Sequence, residues 1–204
     1  MKLTYSDFYQ FSDATVYTTF TAHPDPVIRW RADGESEKAM EFTDCLTYGE
    51  YDNMVLPLIF RQDHEFGNKL RDVLRGGRFL YLISDRFKDL LNEHGLTGWK
   101  TFPIELYDKK DNKIEGYNGF SIIGRAGSIQ KYDVPPVELG YSPRSCGCYF
   151  ESADWDGNDI FLVRPAYVFI TKQFAKVLLS HKISGVEIIK LTDYGDWSKL
   201  KRIL

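Results

Sequence analysis

Cys146-Gly147-Cys148 places two thiols close enough to offer a metal two thiolates, the beginning of a tetrahedral zinc site. A structural zinc takes four ligands, and no second pair of matching spacing occurs, so no metal centre is expected. Further on, Asp154-Trp155-Asp156-Gly157-Asn158-Asp159 resembles a calcium loop in composition. Its glycine is misplaced and no glutamate stands where such a loop closes, so the segment reads as a turn before the strand Ile160-Phe161-Leu162-Val163. His94 and His181 occupy equivalent places in two similar segments, which would suit a symmetrical proton-transfer pair. Histidine near a helix C-terminus is also favoured by the helix dipole, and that structural role is the expected one. His23 and His64 lie in unrelated contexts, and no serine, cysteine or carboxylate is assigned to any histidine by spacing. Gly116-Tyr117-Asn118-Gly119 and Gly124-Arg125-Ala126-Gly127 match neither a P-loop nor a dinucleotide fingerprint and read as turns or bulges. No catalytic residue, cofactor site or metal ligand is therefore expected.

The elements that carry these residues are written twice, 87 positions apart. Ile83-Ser84-Asp85-Arg86-Phe87 through Leu91, His94, Leu96 and Gly98 aligns without a gap on Ile170-Thr171-Lys172-Gln173-Phe174 through Leu178, His181, Ile183 and Gly185. Each copy reads as strand, helix, strand. Phe79–Ile83 and Tyr167–Ile170 are short apolar strands, and Ser84 and Thr171 stand where an N-cap hydroxyl takes up a free backbone N–H. Phe87, Leu90, Leu91 and His94 fall at i, i+3, i+4 and i+7, as do Phe174, Val177, Leu178 and His181. Gly95 can close the first helix in the left-handed conformation; Lys182 in the second copy calls for another exit. Trp99–Leu106 and Val186–Leu191 read as the returning strands.

The first seventy residues have a different texture. Thr15–Thr21 and Val27–Arg31 have strand composition, and His23-Pro24-Asp25-Pro26 between them reads as a turn because proline removes a ladder donor. Met54–Phe60, broken by Pro57, reads as an edge strand or extended connector, and a helix is expected over Glu65–Leu74, ended by Gly76-Gly77. Asp108–Lys113 reads as the solvent tip of a hairpin joining Trp99–Tyr107 to Ile114–Ile123. Val134–Cys148, rich in proline and glycine, reads as a binding loop or linker. The expected fold is α+β: a β-rich N-terminal part over residues 1–76, then residues 77–204 with related units at 83–106 and 170–193, in a compact mixed fold.

At 204 residues, with 43% hydrophobic and 15% aromatic content, the chain has material for a sizeable core in one domain or two small ones. No run approaches the roughly 18 apolar residues of a membrane span, and the first residues lack a secretory apolar stretch. The cytoplasm is the expected compartment. Cys45, Cys146 and Cys148 are too few for a disulfide framework. A formal net charge of −3 argues against general nucleic-acid binding, and the basic cluster Lys199, Lys201 and Arg202 reads as a solvated tail.

Ile83-Ser84-Asp85-Arg86-Phe87-Lys88-Asp89-Leu90-Leu91 with Leu96-Thr97-Gly98-Trp99, then Asp159-Ile160-Phe161, Phe169-Ile170-Thr171 and Ile183-Ser184-Gly185-Val186-Glu187, resembles a bacterial domain family long catalogued as of unknown function. That family is also described as immunity proteins of polymorphic toxin systems. The resemblance covers roughly residues 78–192 and rests largely on structural positions. It implies a non-enzymatic cytoplasmic protein that binds a cognate toxin domain and blocks it, with no nucleic-acid or membrane partner. Tight neutralisation asks for buried anchors and charges that steer encounter. Tyr141, Asp154, Trp155, Asp156 and Asp159 form the candidate contact patch, with core packing the favoured role of Trp155. The alternative is a small-molecule-binding or hydrolytic domain in which distant residues, Cys146 or a histidine with an acid, converge on a cleft. Oligomeric state is left open by the sequence.

Overall fold

A computed structural model describes residues 5–77, 79–131, 148–164 and 167–204. In chain order the early elements are β1 (Phe8–Asp13), β2 (Ala22–Pro24), α1 (Asp25–Ala32), α2 (Ser36–Tyr48), β3 (Leu58–Gln62), β4 (Val73–Arg75), β5 (Tyr81–Ser84) and α3 (Asp85–Glu93). Next come β6 (Trp99–Phe102), β7 (Ile104–Tyr107), β8 (Lys113–Ile114), β9 (Tyr117–Ile122), β10 (Gly124–Lys131) and β11 (Cys148–Phe150). The last are β12 (Ile160–Arg164), β13 (Tyr167–Thr171), α4 (Lys172–Ser180), β14 (Val186–Lys190) and β15 (Lys201–Ile203). Four helices and fifteen strands among the described residues make this an α+β fold.

The chain forms two compact units whose bounds do not fall at Gly76. One comprises Met1–Ala14, Glu93–Gly98 and Gly124–Leu204; the other comprises Thr15–Asn92 and Trp99–Ile123. The first unit holds a seven-stranded sheet of order β11-β10-β12-β13-β1-β14-β15. The second holds two four-stranded sheets, β4-β5-β9-β6 and β2-β3-β7-β8.

Positions 87 apart take the same places in the β4-β5-β9-β6 sheet and in the β12-β13-β1-β14 part of the larger one. Val73 pairs with Ile83 as Ile160 pairs with Ile170, and Leu74 with Leu82 as Phe161 with Phe169. Each helix-leading strand then runs antiparallel to a central strand, Ser84 opposite Tyr117 and Thr171 opposite Phe8. The returning strands lie on the other side of that central strand, Trp99 opposite Ile122 and Val186 opposite Asp13. The equivalence therefore begins upstream of the segment visible in the sequence, at Asp72 and Asp159. Ser84 Oγ donates to Asp72 Oδ1 at 2.9 Å and Thr171 Oγ1 to Asp159 Oδ1 at 2.8 Å. The same two hydroxyls accept the N–H of Phe87 and Phe174 at 3.2 and 3.3 Å, as expected of N-caps. Each hydroxyl thus ties a helix start to the strand behind it.

Phe87 and Leu91 of α3, and Phe174, Ala175, Val177 and Leu178 of α4, are buried on the stripe the sequence marked. Gly95 takes the expected left-handed exit at φ 61°. Lys182 takes the same exit at φ 50°, so no other is needed. The left-handed region costs an L-residue roughly 1–2 kcal/mol, a cost the second copy of the repeat tolerates.

The N-terminal expectations change most. Val27–Arg31 lies in α1, not a strand: Pro26 falls in its first turn, where a missing N–H costs nothing and a fixed φ suits the helix. Thr15–Thr21 is not a strand either; it makes only isolated bridges, Thr19 with Lys69 and Thr21 with Arg75. Glu65–Leu74 is not helical, because Lys69 is held in that bridge and Val73–Arg75 is recruited as β4. The expected hairpin forms at its tip, where Leu106 pairs with Ile114, but its stem divides: β7 and β8 join one sheet, β6 and β9 the other.

Two cores follow. In the second unit Phe20, Leu46, Phe60, Leu74, Leu82, Phe102 and Leu106 pack together, and Gly119 leaves room for the Phe102 ring, which a Cβ there would approach to 2.1 Å. In the first unit Phe8, Phe150, Phe161, Val163, Phe169 and Leu191 form an aromatic-rich cluster. Edge-to-face pairs such as Phe8 with Phe150 (centroids 5.0 Å) each add roughly 0.5–1.5 kcal/mol beyond area burial.

Candidate functional site

The residues singled out from sequence for partner contact separate in the structure. Tyr141 lies outside the described residues, as do Cys146 and most of the proline- and glycine-rich segment. Trp155 is half-buried and turned inward: its ring meets Phe8 edge-on at 5.2 Å and Phe161 at 5.7 Å, and its Nε1–H donates to the Asn158 carbonyl at 3.0 Å. It packs against the core cluster. Asp156 Oδ2 accepts the Arg125 N–H at 2.7 Å and Oδ1 the Asn158 N–H at 3.0 Å, so it pins the turn to β10. Asp159 receives Thr171 on Oδ1, and on Oδ2 both the N–H and the hydroxyl of Thr97, each at 3.1 Å. These two carboxylates are occupied in building the turn before β12, which is the structural role the sequence favoured over a calcium loop. Asp154, exposed in a 3-10 turn, lays its carboxylate beside Gly127 of β10, where a Cβ would come within 2.2 Å of Oδ2. Among the described residues no group of three or more His, Cys, Asp or Glu could hold a metal ion. Cys148 is buried in β11, and Cys45 lies on α2.

A different surface gathers more charge and more apolar area. Ala39, Thr43, Leu46 and Thr47 form the buried face of α2. The two threonines satisfy their hydroxyls by donating to the i−4 carbonyls, Thr43 to Ala39 at 2.8 Å and Thr47 to Thr43 at 2.9 Å. Leu46 fills the core, its carbonyl accepts Ser121 Oγ at 2.5 Å, and Gly49 closes the helix in the left-handed conformation at φ 78°. The helix is thus fixed on β9. Its outward stripe, at i, i+3, i+4, i+7, i+8 and i+11, is Glu37, Met40, Glu41, Asp44, Cys45 and Tyr48, and with Glu50 it lines a groove of about 470 Å³. Met40 is 50% exposed and Tyr48 39%. Burial, followed by the carboxylates of Glu50, Glu41 and Asp44, pushes the Cys45 thiol above its ordinary pKa, so it is a thiol and not a nucleophilic thiolate at neutral pH. An apolar floor beside carboxylates on a helix held to the sheet can bind a cationic protein surface.

Two histidine pairings were not assigned by spacing. His23 Nε2–H donates to Asp63 Oδ2 at 3.2 Å inside the second unit. Burial, reinforced by Arg31, holds this imidazole below its ordinary pKa against the pull of Asp63. In the first unit the Nε2 atoms of His94 and His181 stand 3.1 Å apart. The C-terminal basic residues are also engaged in part: Arg202 pairs with Glu187, and Lys199 and Lys201 line a small cleft with Tyr9 and Lys190. No helix among the described residues is long and apolar enough to cross a membrane. Neither a protein-family model nor a curated protein matches the chain.

Proposed function

We propose that this chain is a non-enzymatic immunity protein of the cytoplasm that binds and neutralises a cognate bacterial toxin domain, docking it on the outward face of α2. The observation that carries the reading is the coincidence of three carboxylates and two exposed apolar side chains on one helix held to the sheet, with Glu50 just past its cap, around a single groove. Apolar anchors supply affinity while the surrounding charge steers a cationic partner and excludes acidic ones. The resemblance over residues 78–192 supports the class, and the constant offset of 87 between the two sheets supports reading them as copies of one unit. The α2 face lies in neither copy, which suits a variable recognition surface on a repeated scaffold.

The test is co-expression with the products of genes adjoining its own. One of them should arrest growth when expressed without this chain, be harmless with it, and co-elute with it at equal stoichiometry. If every neighbouring product is harmless alone, or remains toxic when this chain is present, the immunity reading fails.

A second reading, a small-molecule-binding or hydrolytic domain, draws on the half-buried His23–Asp63 pair. It requires that Asp63→Asn abolish an activity or a ligand affinity. The immunity reading requires that the same variant still protect.

A further inference from the structure

His94 stands one residue beyond α3, before Gly95, and His181 caps α4, before Lys182. Both following residues are left-handed, at φ 61° and φ 50°, so each imidazole is placed by a fixed helix exit and not by a loose loop. Each also sits at a helix C-terminus, the end at which the backbone dipole favours a cation. The two Nε2 atoms are 3.1 Å apart and the ring centroids 5.2 Å apart, with planes inclined at 58°. The rings therefore meet nitrogen to nitrogen, not face to face. At the roughly 2.0–2.1 Å of a zinc–imidazole bond, nitrogens at that separation subtend an angle of about 100° at one metal, between octahedral and tetrahedral values.

We infer that His94 and His181 form a two-imidazole site for a borderline divalent transition ion, Zn²⁺, Ni²⁺ or Cu²⁺, with its remaining positions open to water or to a ligand from a bound partner. In the metal-free pair one ring donates Nε2–H to the lone pair of the other. On binding, both Nε2 lone pairs form bonds to the metal. The donor ring carries its proton on Nδ1 instead, by exchange through solvent, so a neutral pair releases no net proton. Both rings must turn to aim their lone pairs at the metal, which at that angle lies off the line joining the two nitrogens. Imidazole ligands select Zn, Ni and Cu over Mg and Ca, which prefer oxygen donors. With two protein ligands and no third His, Cys, Asp or Glu grouped with them among the described residues, the site is an open one. It is independent of the α2 face and of the immunity reading.

The test is calorimetric titration of the intact, untagged chain with ZnCl₂ and NiCl₂, accompanied by side-chain ¹⁵N spectra of the histidines. One ion per chain is expected, with the resonances of His94 and His181 moving together and those of His23 and His64 unmoved. His94→Ala and His181→Ala should each weaken binding by more than the roughly tenfold that loss of even an outer-shell partner costs, and the double variant should be no weaker than either. His64→Ala, an exposed control, should bind as the parent. Absence of saturable binding, or binding that survives His94→Ala and His181→Ala together, overturns the inference. Magnesium binding as tightly as zinc would overturn it too.

Discussion

The β4-β5-β9-β6 sheet and the β12-β13-β1-β14 sheet share one register, yet one central strand follows its helix in the chain and the other precedes it. β9 follows its helix and returning strand, whereas β1 precedes every other strand. Pairing in both cases is set by the same local devices: an aspartate that receives the N-cap hydroxyl, a left-handed residue after the histidine, and Gly98 or Gly185 at φ 92° or 86° before the returning strand. Connectivity of the middle strand is free so long as it fits between. The faces covered by α3 and α4 are accordingly alike, and the opposite faces diverge. One carries α2 and a second sheet; the other carries an aromatic cluster with β11 and Trp155. A surface for recognition is free to differ where the shared devices do not constrain it.

The largest effects should appear where the two sheets differ inside the shared register. Gly119 and Gln10 hold the same place on their central strands, but only Gly119 lies under a phenylalanine ring. Gly119→Ala should destabilise the second unit by roughly 1–3 kcal/mol through overpacking, and Gln10→Ala the first by no more than about 0.5 kcal/mol. Denaturant midpoints measure both, and equal effects would break the comparison.

Next in size are the paired aspartates. Asp159→Ala strands the N–H and hydroxyl of Thr97 and the hydroxyl of Thr171, a loss of about 2 kcal/mol. Asp72→Ala removes the Ser84 hydrogen bond and the pairing with half-exposed Arg86, about 1 kcal/mol, because a surface ion pair adds little. Hydrogen exchange resolved to β5 and β13 distinguishes the two.

Tyr117 and Phe8 also share a place, and only the tyrosine ionises. Its hydroxyl donates to the Arg71 carbonyl at 2.8 Å, and burial, then Asp72, pushes its pKa up to about 12 from 10.0. The folded chain thus keeps a proton that the unfolded chain releases. Stability should fall as pH rises from 10 toward about 12, by roughly 1–2 kcal/mol once solvent screening of a partly exposed ring is allowed for. Tyr117→Phe should flatten that part of the pH profile.

The smallest pair concerns the helix exits. Gly95→Ala should cost about 1 kcal/mol and Lys182→Gly should gain a little under 1 kcal/mol, since both positions need a left-handed residue. Thermal midpoints moving in opposite directions confirm that the exits are equivalent.

The N-cap, the apolar stripe and the glycine were legible in the sequence because they are short-range, all within about twenty residues; the aspartates Asp72 and Asp159 and the left-handed exit at Lys182 were not. The N-terminal part was not. β1 is six residues whose partners lie at the far end of the chain, so nothing local marks Phe8–Asp13 as a central strand. α2 did carry a signal, Ala39, Phe42, Thr43, Leu46 and Thr47 at i, i+3, i+4, i+7 and i+8, but threonine on the buried stripe disguises it until its hydroxyl is seen to bond within the helix. Its acidic stripe at Glu37, Glu41 and Asp44 is hidden with it. The Asp154–Asp159 segment is more conspicuous, because its carboxylates are close in sequence, but two of them hold the turn together. In the His94 and His181 segments the equivalence was legible and the 3.1 Å approach was not, because offset says nothing about distance.

The central claim is that α2, and not the Asp154–Asp159 turn, is the docking face. The measurement that tests it is the affinity of the co-eluting partner for Glu41→Lys/Asp44→Lys beside that for Asp154→Lys, each across a range of salt. All three positions are surface carboxylates outside the buried core. The account requires the double reversal to weaken binding more than tenfold, about 1.4 kcal/mol, and to lose most of the salt dependence, with Asp154→Lys close to the parent. Loss of binding in Asp154→Lys with the α2 variant unaffected would contradict it and return the interface to the turn.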